Sequence, residues 1–523
     1  MNLQTLDYTV VIIYGICLLI LAQWVSREKS GHEKNTQDYF LAGRALPWWA
    51  IGASLIAANI SAEQIIGMSG SAYAMGFAIA SYEWMAALTL LIDGKYQLPV
   101  LLKHKIYTMP QFLEQRFDHR VRMVMATFWL GFYVFVKLTS ILWLGSLAIN
   151  TVTGLEQMYG LIIIGTFAVA YSLYGGLKAV ALTDIIQVVL LIFGGLMIAW
   201  ITMNEISGGQ GAIAGFSKTM ELLPERFDMI FTADDEFYNL LPGISVLIGG
   251  MWIMNLSYWG FNQYIIQRAL AAKNTREAQK GIAFAAFLKM LVPILVVLPG
   301  VAAVILSPGL ESNEVDRAYP EMMKLLPVGI KGLVFAALIA AIVSSLASMT
   351  NSISTLFTMD MYRHFRPEVD DQRKLVRIGR TVAFTSMIIA MIVAKPLLGN
   401  FDQAFQYIQE FTGFFTPGIV AIFFLGFFYK KGTANGALAA AIGSAVLSLG
   451  FKLVWPALPF IDRVGIVFLL CMALGIVISN MENKGEHPDA IDYRNIDTST
   501  SSGFNLASIV IILMLVGLYI TWW

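Results

Sequence analysis

Charge and cysteine are what this chain has least of. Only 13% of its 523 residues are charged, Lys+Arg and Asp+Glu balance at 35 each, and two cysteines occur, Cys17 and Cys471. Zero net charge offers no basic face for nucleic acid. Two cysteines in apolar runs argue against a disulfide framework and read as packing residues. There is no GxxxxGK[ST] phosphate loop and no cluster of metal-binding side chains. Paired carboxylates or a nucleophile and base set are also missing outside the polar residues buried in the apolar runs, which argues against an enzyme.

What the chain does have is apolar surface. Hydrophobic residues make up 57% of it and the mean hydropathy is +0.67, which places it among polytopic proteins of the lipid bilayer. Apolar stretches of about 20 residues, split where Gly, Pro or charge intervenes, predict an all-α membrane protein of fourteen spans. They fall near 6–26, 47–76, 77–102, 118–148, 155–174, 182–204, 241–268, 277–306, 324–363, 374–396, 401–429, 433–453, 461–482 and 504–522. The first run lacks a basic flank and a cleavage motif before Arg27 and reads as a retained helix.

Charge orients these spans. With both termini outside, 24 Lys and Arg fall on the cytoplasmic side, among them Arg116, Lys178 and Arg268. Eight fall outside, and Lys95, Lys137 and Lys289 lie within helices. That bias is what the positive-inside rule demands. Loops 205–240 and 307–323 are acidic, and the polar stretch 483–503 reads as a flexible linker.

Two spans are unusually polar. Residues 53–70 read ASLIAANISAEQIIGMSG and put Asn59, Ser61, Glu63 and Gln64 within six positions. Such groups cost a few kcal/mol each against hydrocarbon, so they face a protein interior or a wet cavity. Five spans later, GGMWIMNLSYWGFNQY interrupts 241–268 and supplies Asn255, Tyr258, Trp259, Asn262 and Gln263. Corresponding breaks in two halves point to an inverted repeat with a binding site at the interface. Lys289 lies some twelve residues, roughly 18 Å, from the nearer helix end, too deep to snorkel without strain. It must meet a carboxylate, carbonyls, water or a ligand.

These residues sit in longer motifs: DYFLAGRALPWWAIGASLIAANISAEQ (38–64), SYEW (81–84), YGGLKAVALTDIIQ (174–187), YWGFNQYIIQRALAAK (258–273), AFLK (286–289), AAIVSSLASMTNS (340–352), FTMDMY (357–362) and QAFQYIQE (403–410). In content and order the chain resembles the sodium/solute symporter family, including its sodium/galactose and sodium/glucose members. The resemblance implies a LeuT-like core of two inverted five-helix repeats. It divides the chain into an N-terminal extra helix and loop over residues 1–46, a first repeat 47–204, an outer loop 205–240, a second repeat 241–430 and three further helices in 431–523.

By the same resemblance a sodium ion is held by the carbonyls of Ala57, Ile60 and Ala341 and the hydroxyls of Ser344 and Ser345. A hard cation takes such oxygens readily. A second sodium site of some relatives uses an acid like Asp184 with hydroxyls beyond the first site. Here Ser348 is present but Ala347 offers no oxygen, which favours one sodium per solute. A tenfold gradient (about 1.4 kcal/mol) plus 100 mV (about 2.3 kcal/mol) then concentrates solute roughly 500-fold. Asp184 reads equally as a waypoint for departing sodium or as the cap of a helix start.

The implied solute site is Gln64, Glu83, Asn255, Lys289 and Gln409, with Tyr258 as the inner stacking gate beside Trp259, and Met68, Tyr82 and Phe405 as the outer lid. Alternating donors and acceptors with an aromatic face suit a neutral sugar such as galactose or glucose. A serine of the family's sugar site is Ala86 here, which leaves the epimer open, and another polyol such as myo-inositol is the near alternative. A weakly coupled sugar sensor or conductance is a further one. Asp93 and Lys137 depart from the pattern of the bacterial members. They read either as an intramembrane pair, against a depth difference of roughly 15 Å, or as separate groups with Asp93 solvated from the cytoplasm.

Overall fold

The computed structural model describes residues 3–25, 41–368, 371–398 and 404–523. Arg27, Lys29, Lys34 and Gln403 lie outside the described residues, as do the side chains of 172–183, Lys178 among them. Within the described residues there is no β-strand, and the backbone is about 81% helical. Nine described helices are long and apolar enough to cross a membrane, ten if Phe405–Gly413 and Thr416–Phe428, bent by 48°, form one span. The protein is a multi-pass membrane protein.

That number is below the fourteen expected, and several of the expected spans are not single straight helices. The 47–76 segment is Trp48–Asn59, a break at Ile60, a π-helical turn Glu63–Met68 and then Ser69–Met75. The 241–268 segment breaks at Gly249 and again at Asn262, giving Ser245–Ile248, Gly250–Asn255, the π-helical Leu256–Phe261 and Gln263–Leu270. Residues 155–174 and 182–204 fall in one helical run, Gln157–Ile206. This run cannot be straight, since thirty residues would span roughly 45 Å. Instead Ile164 lies by Ile342 while Gly194 meets Val334, only two helical turns away on Ile330–Thr355. The chain doubles back between them.

Three expectations are corrected here. Cys17 is exposed, so only Cys471 packs inside. Arg116 is no solvated loop residue: at 1% exposure it donates to the carbonyls of Gly426, Tyr429, Lys430 and Gly432, in the last turn of Thr416–Phe428 and just past it. The 483–503 stretch is docked rather than free. Tyr493 stacks on Phe428, Lys103 donates to Asn495 O at 2.8 Å, and His487 N–H donates to Lys430 O at 3.0 Å. Its few apolar residues find a surface in tertiary structure that its polar composition does not announce.

Candidate functional site

Both helix breaks are restarted by a short polar side chain. Ser61 Oγ accepts from Glu63 N–H at 3.2 Å, and Asn262 Oδ1 accepts from Tyr264 N–H at 3.2 Å. Each caps donors that a new helix start leaves unpaired. The breaks open a cavity lined by Asn59, Glu63, Gln64, Tyr82, Glu83, Ala86, Lys137, Asn255, Tyr258, Trp259, Asn262, Lys289, Phe405 and Gln409, with Phe128, Trp129, Thr412 and Thr416 farther along. Nine of the ten expected solute residues line it.

Met68 does not. It is fully buried at the end of the π-helical turn Glu63–Met68. The other two expected lid residues, Tyr82 and Phe405, meet edge to face with ring centroids 5.4 Å apart. Tyr258 OH accepts from Asn59 Nδ2 at 3.1 Å, and its ring lies edge-on to that of its neighbour Trp259, with centroids 5.2 Å apart.

The Lys289 ammonium, with no exposed side-chain surface, donates to Glu83 Oε2 and to Asn59 Oδ1 and stands 4.9 Å from the Trp259 ring centroid. A carboxylate, an amide oxygen and a π face together compensate a charge that hydrocarbon would not tolerate. Asn59 is the partner that sequence reasoning leaves unassigned.

A second buried pair joins partners other than those expected. Lys137 binds Glu63 Oε2 at 2.7 Å, Ser140 Oγ donates to the other Glu63 oxygen, and Lys137 lies 5.9 Å from the Tyr258 ring. The expected pairing with Asp93 is therefore absent, as the depth difference between them requires. Solvation of Asp93 from the cytoplasm is absent in this arrangement too, because it is 2% exposed.

Of the expected sodium residues, Ala57 and Ile60 stand at the first break and Ser345 bonds to it. Ser61 N–H, which would serve Ala57 O in a regular helix, instead donates to Asn59 O at 2.7 Å, so the Ala57 carbonyl loses its helical donor. Ser345 Oγ donates to Ala58 O at 3.2 Å and Tyr264 OH donates to the same carbonyl, which ties Ile330–Thr355 to the break. Ser344 Oγ donates to Asp184 Oδ1, and Ser54 Oγ donates to Asp184 Oδ2 at 2.6 Å.

Arg268 completes this network and corrects its expected place at the cytoplasmic flank. At 1% exposure it lies 3.6 Å from Asp184 Oδ2, donates to Ser54 Oγ at 2.7 Å and also to Ser348 Oγ. The Gln263–Leu270 helix packs against Trp48–Asn59 and Ile330–Thr355, and that packing turns the guanidinium inward.

Comparison with known proteins agrees with this architecture. Residues 39–443 match the sodium:solute symporter family. The chain is 48% identical to a sodium/glucose cotransporter of Vibrio parahaemolyticus, over 100% of this chain and 99% of that one. It is 32% identical to the mouse sodium/myo-inositol cotransporter 2, over 86% of this chain and 70% of the other. A substrate-bound, outward-open Na+-coupled sialic acid symporter shares the fold, with a TM-score of 0.80 at 23% identity, covering 91% of this chain and 98% of that one. The chain belongs to the sodium:solute symporter family.

Proposed function

We propose that this protein is a sodium-driven symporter of a neutral sugar, galactose or glucose, working by alternating access with one sodium per sugar. The observation that carries the reading is the buried Lys289, Glu83 and Asn59 cluster at the wall of a cavity that Tyr82, Phe405, Tyr258 and Trp259 also line. Gln64, Asn255 and Gln409 add amides there, and Tyr258 and Trp259 add ring faces. The donors and acceptors match ring hydroxyls, and the rings match the C–H face of a pyranose.

Sodium belongs at Ala57, Ile60, Ala341, Ser344 and Ser345, where the break removes a carbonyl from helical bonding. The single-sodium reading is supported by Arg268, which already compensates Asp184 and occupies the Ser348 hydroxyl. Asp184, bonded to Ser344, is placed to receive sodium as it leaves. We read the chain as fourteen spans with repeats 47–204 and 241–430, both termini outside a cytoplasmic membrane, on the strength of the two capped breaks and the charge bias. A polyol such as myo-inositol is the second reading, because Ala86 presents no hydroxyl to the cavity.

The test is the charge carried per sugar, from reversal potentials in proteoliposomes at fixed gradients with labelled galactose, glucose and myo-inositol. One net charge per hexose supports the reading. Two charges, or uptake of none of the three, refutes it.

A further inference from the structure

Asp93 belongs to neither the solute set nor the sodium set. It opens the π-helical turn Asp93–Gln97 on the helix run that carries Glu83, and this turn packs against Leu256–Phe261, the segment bearing Tyr258 and Trp259. It is 2% exposed, its Oδ2 has no hydrogen-bond partner, and no described Lys, Arg or His lies within 4.0 Å of it. Contact with the gate segment is close because residue 260 is glycine. A Cβ there would stand 3.0 Å from Asp93 Oδ1 and 2.7 Å from Gln97 Oε1, and Gln97 Nε2 donates to Gly260 O.

The charged and titratable groups on the surrounding elements are engaged elsewhere. Lys95 leans over the Tyr96 ring, Lys103 reaches Asn495 O, and Lys289 is held by Glu83. Lys280 pairs with Glu277, Arg276 is exposed, Tyr258 bonds Asn59 and Tyr519 bonds Ser81. An ionised carboxylate here would be an uncompensated charge inside the membrane, at a cost of several kcal/mol. A neutral carboxylic acid avoids that cost. Sodium does not suit the place, since it wants about five or six oxygens and the surroundings supply the carboxyl, the Gln97 amide and the Gly260 carbonyl.

We propose that Asp93 is a proton-binding site on the inner gate, protonated while Leu256–Phe261 is closed over it and ionised when that segment moves off. On opening, the carboxyl O–H bond breaks and the proton passes to water on the cytoplasmic side. On closing, a proton from the same side restores it, so none crosses the membrane. The closed state binds the extra proton, so raising pH disfavours it, by up to tenfold per pH unit. This rests on the gate reading given above, but Asp93 protonation can be observed without transport.

The experiment pairs two measurements on wild type and Asp93→Asn. Infrared titration of the purified protein should show a carboxylic acid C=O band near neutral pH that Asp93→Asn lacks. In oriented proteoliposomes at a fixed sodium gradient, wild-type galactose uptake should fall as the cytoplasmic-side pH rises. Asp93→Asn should give a flattened profile with the sodium requirement unchanged. Asp93→Glu, which keeps the acid, should shift the band and retain the pH dependence, and it serves as the test if Asp93→Asn does not fold. Superimposable profiles, or identical infrared bands in wild type and variants, overturn the proposal. Failure of sugar uptake in wild type would refute the symporter reading and leave the infrared result to decide on Asp93.

Discussion

Replacing Lys289 with alanine removes two things at once: the cation facing Glu83 and the donor to Asn59 Oδ1. Their side chains are 0% and 4% exposed for Lys289 and Glu83, so water does not readily take over. Breaking a buried pair from one side costs about 3–5 kcal/mol, chiefly through the charge left behind. At 1.4 kcal/mol per factor of ten this corresponds to roughly 150- to 4,000-fold weaker solute binding if the loss is realised at the site. The assay is sodium-driven uptake of labelled sugar into proteoliposomes, beside a thermal melt of the purified variant. A Glu83→Gln, Lys289→Met double variant separates charge from chemistry, since it leaves no orphan charge. Its stability should recover toward wild type while its uptake stays low. Normal uptake by Lys289→Ala would refute the assignment of this cluster to the solute.

Three shorter tests address the neighbouring groups. Ser345→Ala removes one of about five sodium oxygens and should raise the sodium requirement steeply without changing which sugars compete; the sodium activation curve should keep a Hill coefficient near one. Tyr258→Phe keeps the ring but loses the bond from Asn59, worth about 1 kcal/mol or roughly fivefold, whereas Tyr258→Ala also loses the stacking face and should be much more severe in uptake. Lys137→Met strands Glu63 with only Ser140 for company, so Glu63→Gln should partly rescue its stability, with a coupling of about 0.5–3 kcal/mol by double-mutant cycle; additive losses would disprove the pair.

Some of this protein is written in local chemistry. Asn59, Ser61, Glu63 and Gln64 inside one apolar run, and Asn255, Tyr258 and Asn262 inside another, mark the two broken helices, because polar groups in a membrane segment must find water, a partner or a ligand. Lys289 is legible for the same reason: an ammonium that deep demands a partner. The family motifs then point to Glu83 and Gln409 from segments far apart in the chain.

Which group meets which is not legible. Lys137 chose Glu63 over Asp93, and Arg268 turned from an expected aqueous flank to Asp184, because partner choice depends on helix adjacency and relative depth. Met68, on the same turn as Gln64, is buried away from the cavity. Residues 483–503 docked through Tyr493 and backbone hydrogen bonds that polar composition conceals. Sequence by itself determined that this is a helical, multi-pass membrane protein and that two of its segments must break, since burial of each residue type carries its own cost. Tertiary structure alone decided how the buried charges compensate one another, since a short-range ion pair exists only once packing brings both helices to the same depth.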